Sequence, residues 1–312
     1  MKSKLLRLLG ADHASFVSGE EISKKLGISR VSVWKHIKKL QELGYHIESG
    51  PTGYCLIHSP DSVYPWVFPE RENNIHYFPT VSSTMLEAKR LARDGCAHFS
   101  VVVADRQTEG RGRMKRRWIS DEGGLYMTLI LRPESPAVMM TLYSFAASLS
   151  LAETLQEDFK VPARVKWPND ILVEEKKICG MLAELEMEAD RISFLNIGLG
   201  LNVNNDPTQK ESNAISMKQY LGKTIPRKTV LTAFLDRLET ELSETALDHI
   251  IPRWKQQTLT LNRQVRIVTT TGEWEGHAVD VDDTGALVLK MADQSLQKVY
   301  YGDCFHQTTK DE

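Results

Sequence analysis

Two short helical runs, each opened by a serine and separated by one glycine, constrain the start of this chain more than any other feature. Ser18 precedes Gly19-Glu20-Glu21, so it is placed to cap a helix while Glu21 reaches back, the reciprocal pair of a capping box. Ile22 and Leu26 give that helix an inward face, Gly27 ends it, and Ser29 caps the next. There Val33, Ile37 and Leu40 fall on one side at helical spacing. Leu5, Leu6, Leu8 and Leu9 mark an earlier helix. Two helices joined by a short glycine-containing turn are the helix-turn-helix pattern. Residues 45–48 and 54–57 then flank Ser-Gly-Pro-Thr-Gly and predict a hairpin, a wing beside the helices.

Charge sets this segment apart. Residues 1–58 hold nine Lys/Arg against five Asp/Glu, whereas the whole chain carries a formal net charge of -2. One basic module therefore rides on a near-neutral body. On the second helix Arg30, Trp34 and Lys38 share an i, i+4 row, with Ser32, Lys35 and Lys39 beside it. Such a row meets DNA with cations on phosphates and early residues at base edges. Arg30, Ser32, Trp34, Lys35 and Lys38 are the candidate DNA contacts. The competing reading is a winged helix that contacts protein or only supports the rest of the chain.

At 312 residues the chain exceeds what one core comfortably holds. Boundaries are expected at 1–60, 61–262 and 263–312. Residues 59–69 carry three prolines and little periodicity and read as a linker. Strand patterns at 101–103, 125–131 and 192–203 interleave irregularly with helical ones at 82–93 and 137–159. That irregularity favours a mixed α+β layer over a doubly wound sheet. The last fifty residues, with Thr271-Gly272 and Asp283-Thr284-Gly285 turns, predict a small β-barrel. The longest charge-free run, 136–152, contains Thr141, Ser144, Ser148 and Ser150 and is short for a membrane span, so it predicts a buried helix. MKSKLLRLLG is too soon charged for a signal peptide. Cys55, Cys96, Cys179 and Cys304 form no metal or disulfide spacing and read as reduced cytoplasmic thiols.

Three further segments carry chemistry. In Gln107-Thr108-Glu109-Gly110-Arg111-Gly112-Arg113-Met114-Lys115-Arg116-Arg117-Trp118, alternating glycines let backbone N–H groups converge on an anion. The arginines add planar forks that match phosphate oxygens, and Trp118 can stack on a base. A solvated basic loop for RNA is the rival explanation. In Lys166-Trp167-Pro168-Asn169-Asp170, followed by Lys176-Lys177 and Gly180-Met181-Leu182, the first lysine adjoins an apolar pair and Asp170 opens a strand. A carboxylate there can accept from a polar ligand or hold Mg²⁺; a plain surface turn is the alternative. Gly198-Leu199-Gly200-Leu201-Asn202-Val203-Asn204 places glycines inside an apolar strand, which predicts close approach of a ligand or another chain.

These motifs, in this order and over nearly the whole chain, resemble those of biotin protein ligases, and the flanking modules resemble the bifunctional ligases that also repress the biotin operon. The resemblance implies a central class II synthetase-like domain and an SH3-like C-terminal domain. It implies that Ser83, Thr84, Met85, Gln107, Arg111, Gly112, Arg113, Lys177 and Gly180 contact biotin. Arg111, Arg113, Arg116, Trp118, Asp170 and Asn202 would contact ATP or the adenylate, with Lys177, Lys166 and Arg113 at the reacting centre. ATP and biotin are the implied substrates, with Mg²⁺, and the implied partners are a biotin carboxyl carrier domain, operator DNA and a second copy of the chain; no membrane is expected. Two positions depart from the family. Met85 stands where asparagine is common, and Lys115 replaces the later glycine of the Gly/Arg loop.

The implied reaction has two steps, adenylation of biotin and transfer to a carrier lysine, with biotinyl-AMP as corepressor. The 198–204 strand is the expected edge for pairing with a second copy or with the carrier. A lipoate ligase-like enzyme and a ligand-sensing transcription factor without ligation are the alternatives.

Overall fold

In the computed structural model, residues 1–10, 15–134, 136–188, 191–243 and 247–307 are described. The chain divides into two units, Met1–Ile75 and His76–Glu312.

The first unit contains α1 (Lys2–Gly10), α2 (Gly19–Leu26), α3 (Arg30–Glu42), β1 (His46–Gly50) and β2 (Gly53–His58). Leu5, Leu9, Ile22, Val33, Ile37, Leu40, Tyr45 and Ile47 form its core. Ser18 Oγ accepts the Glu21 amide at 3.1 Å, as expected of a cap. The capping box is only half made, because the Glu21 carboxylate accepts from Lys25 Nζ at 2.7 Å one turn on. Gly27 closes α2 with φ at 65°, a left-handed conformation that favours glycine. Ser29 accepts from the Ser32 amide and opens α3.

The proline-rich segment corrects the linker expectation. Val63 and Phe68 are buried, and a 3-10 turn spans Pro65–Val67. Tyr64 stacks on Trp66 at 4.5 Å, Trp66 Nε1 donates to the Tyr45 hydroxyl at 3.1 Å, and Lys2 Nζ lies 3.7 Å from the Trp66 ring centroid. Prolines remove regular backbone hydrogen bonds, not the ability of neighbouring aromatics to pack.

The second unit continues with β3 (Ile75–Val81, which starts at the boundary), α4 (Thr84–Arg93), β4 (Ser100–Gln107), β5 (Leu125–Leu131) and α5 (Met140–Glu157). Then come β6 (Arg164–Lys166), β7 (Asp170–Val173), β8 (Lys176–Glu188), β9 (Arg191–Leu201), α6 (Met217–Leu221), α7 (Arg227–Ser243) and α8 (Ile250–Gln257). The order β3-β4-β5-β9-β8-β7-β6 makes one seven-stranded sheet. From β4 through β6 the pairs are antiparallel, and parallel bridges join Val165 to Thr258 and Lys177 to Ala214.

This order overturns the expected edge. Strand β9, which holds Gly198 and Gly200, is interior, paired with β5 on one side and β8 on the other. Residues 194–201 of this strand are all buried, as its place between two neighbours requires. The open backbone lies instead on β8. Short β7 reaches only Lys176–Gly180, and among the described residues no strand pairs with β8 beyond Met181 on the side away from β9.

The charge-free run explains itself as α5, buried on most of its circumference. Phe145 meets Trp254 of α8 edge-on at 4.6 Å, and the Trp254 indole donates to Ser148 Oγ at 3.1 Å. Glu153 is held by two 2.9 Å hydrogen bonds from Arg253, which satisfies its buried charge.

The C-terminal strands are β10 (Arg263–Val268), β11 (Glu273–Val281), β12 (Leu287–Lys290), β13 (Leu296–Val299) and β14 (Asp303–His306). They form an antiparallel sheet in the order β13-β12-β11-β10-β14. No pairing among the described residues closes it into a barrel. The Trp167 indole donates to the Gly285 carbonyl at 3.1 Å and ties this sheet to the strand before β7.

Candidate active site and candidate DNA interface

A cavity of about 430 Å³ opens where four sequence-distant segments converge. Its lining includes Thr84 and Met85 at the start of α4, Gln107 at the end of β4, and Arg111, Gly112, Arg113, Arg116 and Trp118 of the Gly/Arg loop. Lys166, Asn169, Asp170, Lys177, Gly180, Gly198, Gly200 and Asn202 come from β6 to β9, and Asp303 and Phe305 from β14. Every sequence-predicted site residue outside α3 therefore lines one cleft, apart from Ser83. That residue caps α4 just behind it, with a fully buried hydroxyl that has no hydrogen-bond partner.

Gln107 organises the floor. Its Oε1 accepts from the Thr84 amide at 2.8 Å and the Thr84 hydroxyl at 3.1 Å, while Nε2 donates to Ser120 Oγ at 2.8 Å. The Thr128 hydroxyl donates to Thr84 Oγ1 at 2.9 Å. One N–H of the Gln107 amide is left for a ligand acceptor, and its orientation is fixed before any ligand arrives.

The glycines of β8 and β9 serve close approach inside the molecule. A Cβ at Gly200 would overlap the Trp118 indole, and one at Gly180 would fall 2.9 Å from that ring and 3.0 Å from Lys177 Cε. A Cβ at Gly198 would meet Met85 Sδ at 2.6 Å. Trp118 thus lies flat on the sheet with its Nε1 buried and unpartnered, and Lys177 Nζ is 5.3 Å from its centroid.

Three of the cleft cations, Lys177, Arg113 and Arg116, are already engaged. Lys177 Nζ pairs with Asp170 at 2.8 Å, and the Lys177 backbone is pinned by the Asn213 carbonyl and the Ile215 amide. Arg113 Nη1 donates to Asn169 Oδ1 at 3.1 Å and to the Gly302 carbonyl at 3.2 Å. Arg116 pairs with Asp303. Burial lowers the Arg113 pKa, with Asp303 and Asp170 pulling the other way; a guanidinium still stays charged at neutral pH. Burial also pushes the Cys304 thiol up to about 12 against the opposing charge of Lys166, and burial and then Lys166 lower the pKa of His306. These effects put the Lys166 ammonium beside the C-terminal strand.

Asn169, Gly302 and Asp303 are site residues that sequence reasoning missed. Asn169 lay inside a flagged motif. Gly302 and Asp303 carry no local signal, since only folding brings them to Arg113 and Arg116.

On the first unit, Arg30, Trp34, Lys35 and Lys38 are exposed along α3. Arg30, Lys35 and Lys38 make no ion pair or side-chain hydrogen bond among the described residues. Ser32 sits differently: its hydroxyl lies 2.9 Å from Ser29 Oγ, within the helix start. Val31, not flagged in the sequence, is 63% exposed on the same outward face.

A sheet-borne cleft that combines a Gly/Arg loop with an opposed lysine–aspartate pair, on the same chain as a helix-turn-helix, defines a ligase coupled to a DNA-binding module. The comparisons agree. Residues 77–202 match the Biotin/lipoate A/B protein ligase family, residues 2–55 an HTH domain, and residues 260–307 the Biotin protein ligase C terminal domain. The chain is 33% identical over 318 residues to the bifunctional ligase/repressor BirA of Bacillus subtilis, covering 97% of this chain and 98% of that one. It is 28% identical to the Escherichia coli protein of the same name, covering 92% and 91%. Biotin protein ligase from Aquifex aeolicus, solved in complex with biotin and ATP, superposes with a TM-score of 0.64 at 28% identity, covering 76% of this chain and 99% of that one. The chain belongs to the biotin protein ligase family, in its bifunctional ligase/repressor branch.

Proposed function

We propose that this protein activates biotin with ATP to biotinyl-5'-AMP, transfers biotin to a lysine of a biotin carboxyl carrier domain, and represses biotin genes with the adenylate as corepressor. The observation that carries the reading is the convergence of the Gly/Arg loop, the Lys166–Asp170 run, Lys177 and the β9 glycines on one cavity.

In the first step the biotin carboxylate attacks the α-phosphorus and pyrophosphate leaves. In the second a lysine amine attacks the acyl carbon, AMP leaves, and the amine loses a proton. The chain's part is to hold anions together and keep water out. Lys177 faces the carboxylate and α-phosphate, Arg111, Arg113 and Arg116 the phosphates, and Trp118 covers the adenylate. Thr84, Met85, Gln107, Gly112 and Gly180 bound biotin, with Ser83 behind them, and Asn202 joins the nucleotide side. Mg²⁺ would arrive with the nucleotide. Among the described residues no group of three or more His, Cys, Asp or Glu gathers to hold a metal, and Asp170 is the cleft carboxylate suited to a phosphate-bridged ion. Such an ion would neutralise phosphate charge.

The functional modules are the winged helix, whose compact unit extends past the expected boundary at 60 to residue 75, a class II synthetase-like module that follows it to residue 262, and an SH3-like module at 263–312. The five short antiparallel strands support the SH3-like reading. The second half of β8, with exposed Leu185 and Met187, supports homodimer pairing or carrier docking along an open strand. Four unpaired cysteines support a cytoplasmic setting. Among the described residues no helix is long and apolar enough to cross a membrane.

The test is to incubate the chain with ATP, biotin and a carrier domain. A single biotin mass increment on the carrier is expected; none with biotin but one with lipoate selects the lipoate reading. Failure to release pyrophosphate with either acid selects the sensor. Sedimentation with biotin, with biotinyl-AMP and with neither tests the switch, which equal dimer fractions and equal operator affinity in all three would overturn.

A further inference from the structure

The outward line of α3 is not uniformly charged. Val33, Ile37 and Leu40 occupy the buried side. Val31, Trp34, Lys35 and Lys38 follow i, i+3, i+4, i+7 spacing and form one opposite stripe. Val31 is 63% exposed and Trp34 50% exposed, both in the N-terminal half of the helix. A single exposed apolar side chain needs no explanation. Two neighbours on the one line bounded by Arg30, Lys35 and Lys38 are different. The cations name a polyanion as the occupant, and phosphate alone gives no use for a valine and an indole. The nearby hydroxyls are spent on the helix start, since Ser29 Oγ accepts the Ser32 amide at 3.1 Å and lies 2.9 Å from Ser32 Oγ.

The major groove of duplex DNA offers one apolar group, the C5 methyl of thymine. The early residues of a recognition helix are those that reach base edges. We propose that Val31 and Trp34 read thymine methyl groups, so that each operator half-site carries thymine at the positions they face, while Arg30, Lys35 and Lys38 hold phosphates and set the register. The inference rests on the DNA-binding reading above and goes beyond it by naming the base.

The experiment starts by selecting duplexes from a random pool with the full chain, biotin and ATP. Each thymine of the enriched site is then replaced by deoxyuracil, which removes the methyl and leaves base pairing intact. Affinity should fall roughly fourfold per methyl at a few positions of each half-site, the ratio expected for burying one carbon. Val31→Ala should lose that sensitivity at one position and Trp34→Ala at another. Val31→Thr, which keeps a β-branch and one methyl, should retain part of it and guards against a folding defect. Lys35→Ala should weaken thymine and uracil duplexes alike. Uracil substitution that leaves affinity unchanged at every position, or variants with wild-type uracil sensitivity, would overturn the proposal. A pool with no enriched duplex would sink the DNA-binding reading itself, and this inference with it.

Discussion

The two units meet anions in opposite ways. On α3 the cations project from the surface with no protein partner among the described residues, so a polyanion displaces only water and counterions. In the cleft some cations already hold partners: Lys177 holds Asp170, Arg113 holds Asn169 and the Gly302 carbonyl, and Arg116 holds Asp303. A phosphate entering there must exchange one set of bonds for another. The first arrangement gives strong, salt-sensitive and weakly selective attraction. The second lets a ligand change the protein, because a ligand shifts an equilibrium only by its differential contacts with the two states.

The sharpest way to break this contrast is to separate the units. Removing residues 1–74 should abolish DNA binding in a mobility-shift assay and leave pyrophosphate exchange intact. Cutting at residue 58 should behave worse, because it removes the core on which Tyr64 packs and the Tyr45 and Lys2 partners of Trp66. A truncated chain that folds but makes no adenylate would show that ligation needs the first unit.

Within the cleft, Lys177→Ala should lower biotin-dependent pyrophosphate exchange by about a hundredfold or more, as expected for loss of a charge that faces a developing oxyanion. Its circular dichroism should be unchanged. Normal exchange would remove this lysine from the mechanism.

Arg113→Gly should be milder in adenylation and pronounced in retention. With the bonds to Asn169 and Gly302 gone, release of biotinyl-AMP should rise about tenfold, the scale of one charge-assisted hydrogen bond. The escaped anhydride should label bystander lysines by mass spectrometry. Labelling confined to the carrier would show that the loop does not enclose it.

On α3, Lys38→Ala should lower the slope of log affinity against log salt by about one unit, with sequence preference kept. An unchanged slope would take Lys38 off the phosphates.

The smallest effect concerns acid. Burial lowers the pKa of His76, of His98 and of His306, the last also through Lys166. A folded-state pKa below the unfolded value means that the unfolded chain binds more protons, so stability falls as pH drops below the ordinary histidine value of about 6.5. Urea midpoints of the truncated second unit should decline from pH 7 to 5, and less so in His306→Gln. A flat profile would show that these imidazoles protonate without strain.

Much of this was legible because the information is local. Ser18, Gly27 and Ser29 mark helix ends by hydrogen-bonding chemistry that acts over three residues, and the Val33-Ile37-Leu40 spacing marks an inward face directly. Gln107, Arg113, Lys177 and the β9 glycines were visible as motifs, although their meeting was not. What escaped depends on long-range pairing. Gly198 and Gly200 read as a rim because apolar content does not tell an interior strand from an edge, and only the pairing of β9 between β5 and β8 decides it. Asp303 escaped because its partner Arg116 is 187 residues away. The 59–69 segment misled because proline density reports on hydrogen-bond geometry while Trp66 and Phe68 report on packing.

The cysteines carry a practical consequence. Cys55, Cys179 and Cys304 are buried, and burial raises the pKa of Cys179 and of Cys304, leaving both thiols protonated and slow toward electrophiles. Cys96 alone among the four is partly accessible. A maleimide dye added to the native protein should therefore couple at one position without mutagenesis, giving a homogeneous fluorescent reagent whose attachment point follows α4 and lies outside the residues lining the cleft.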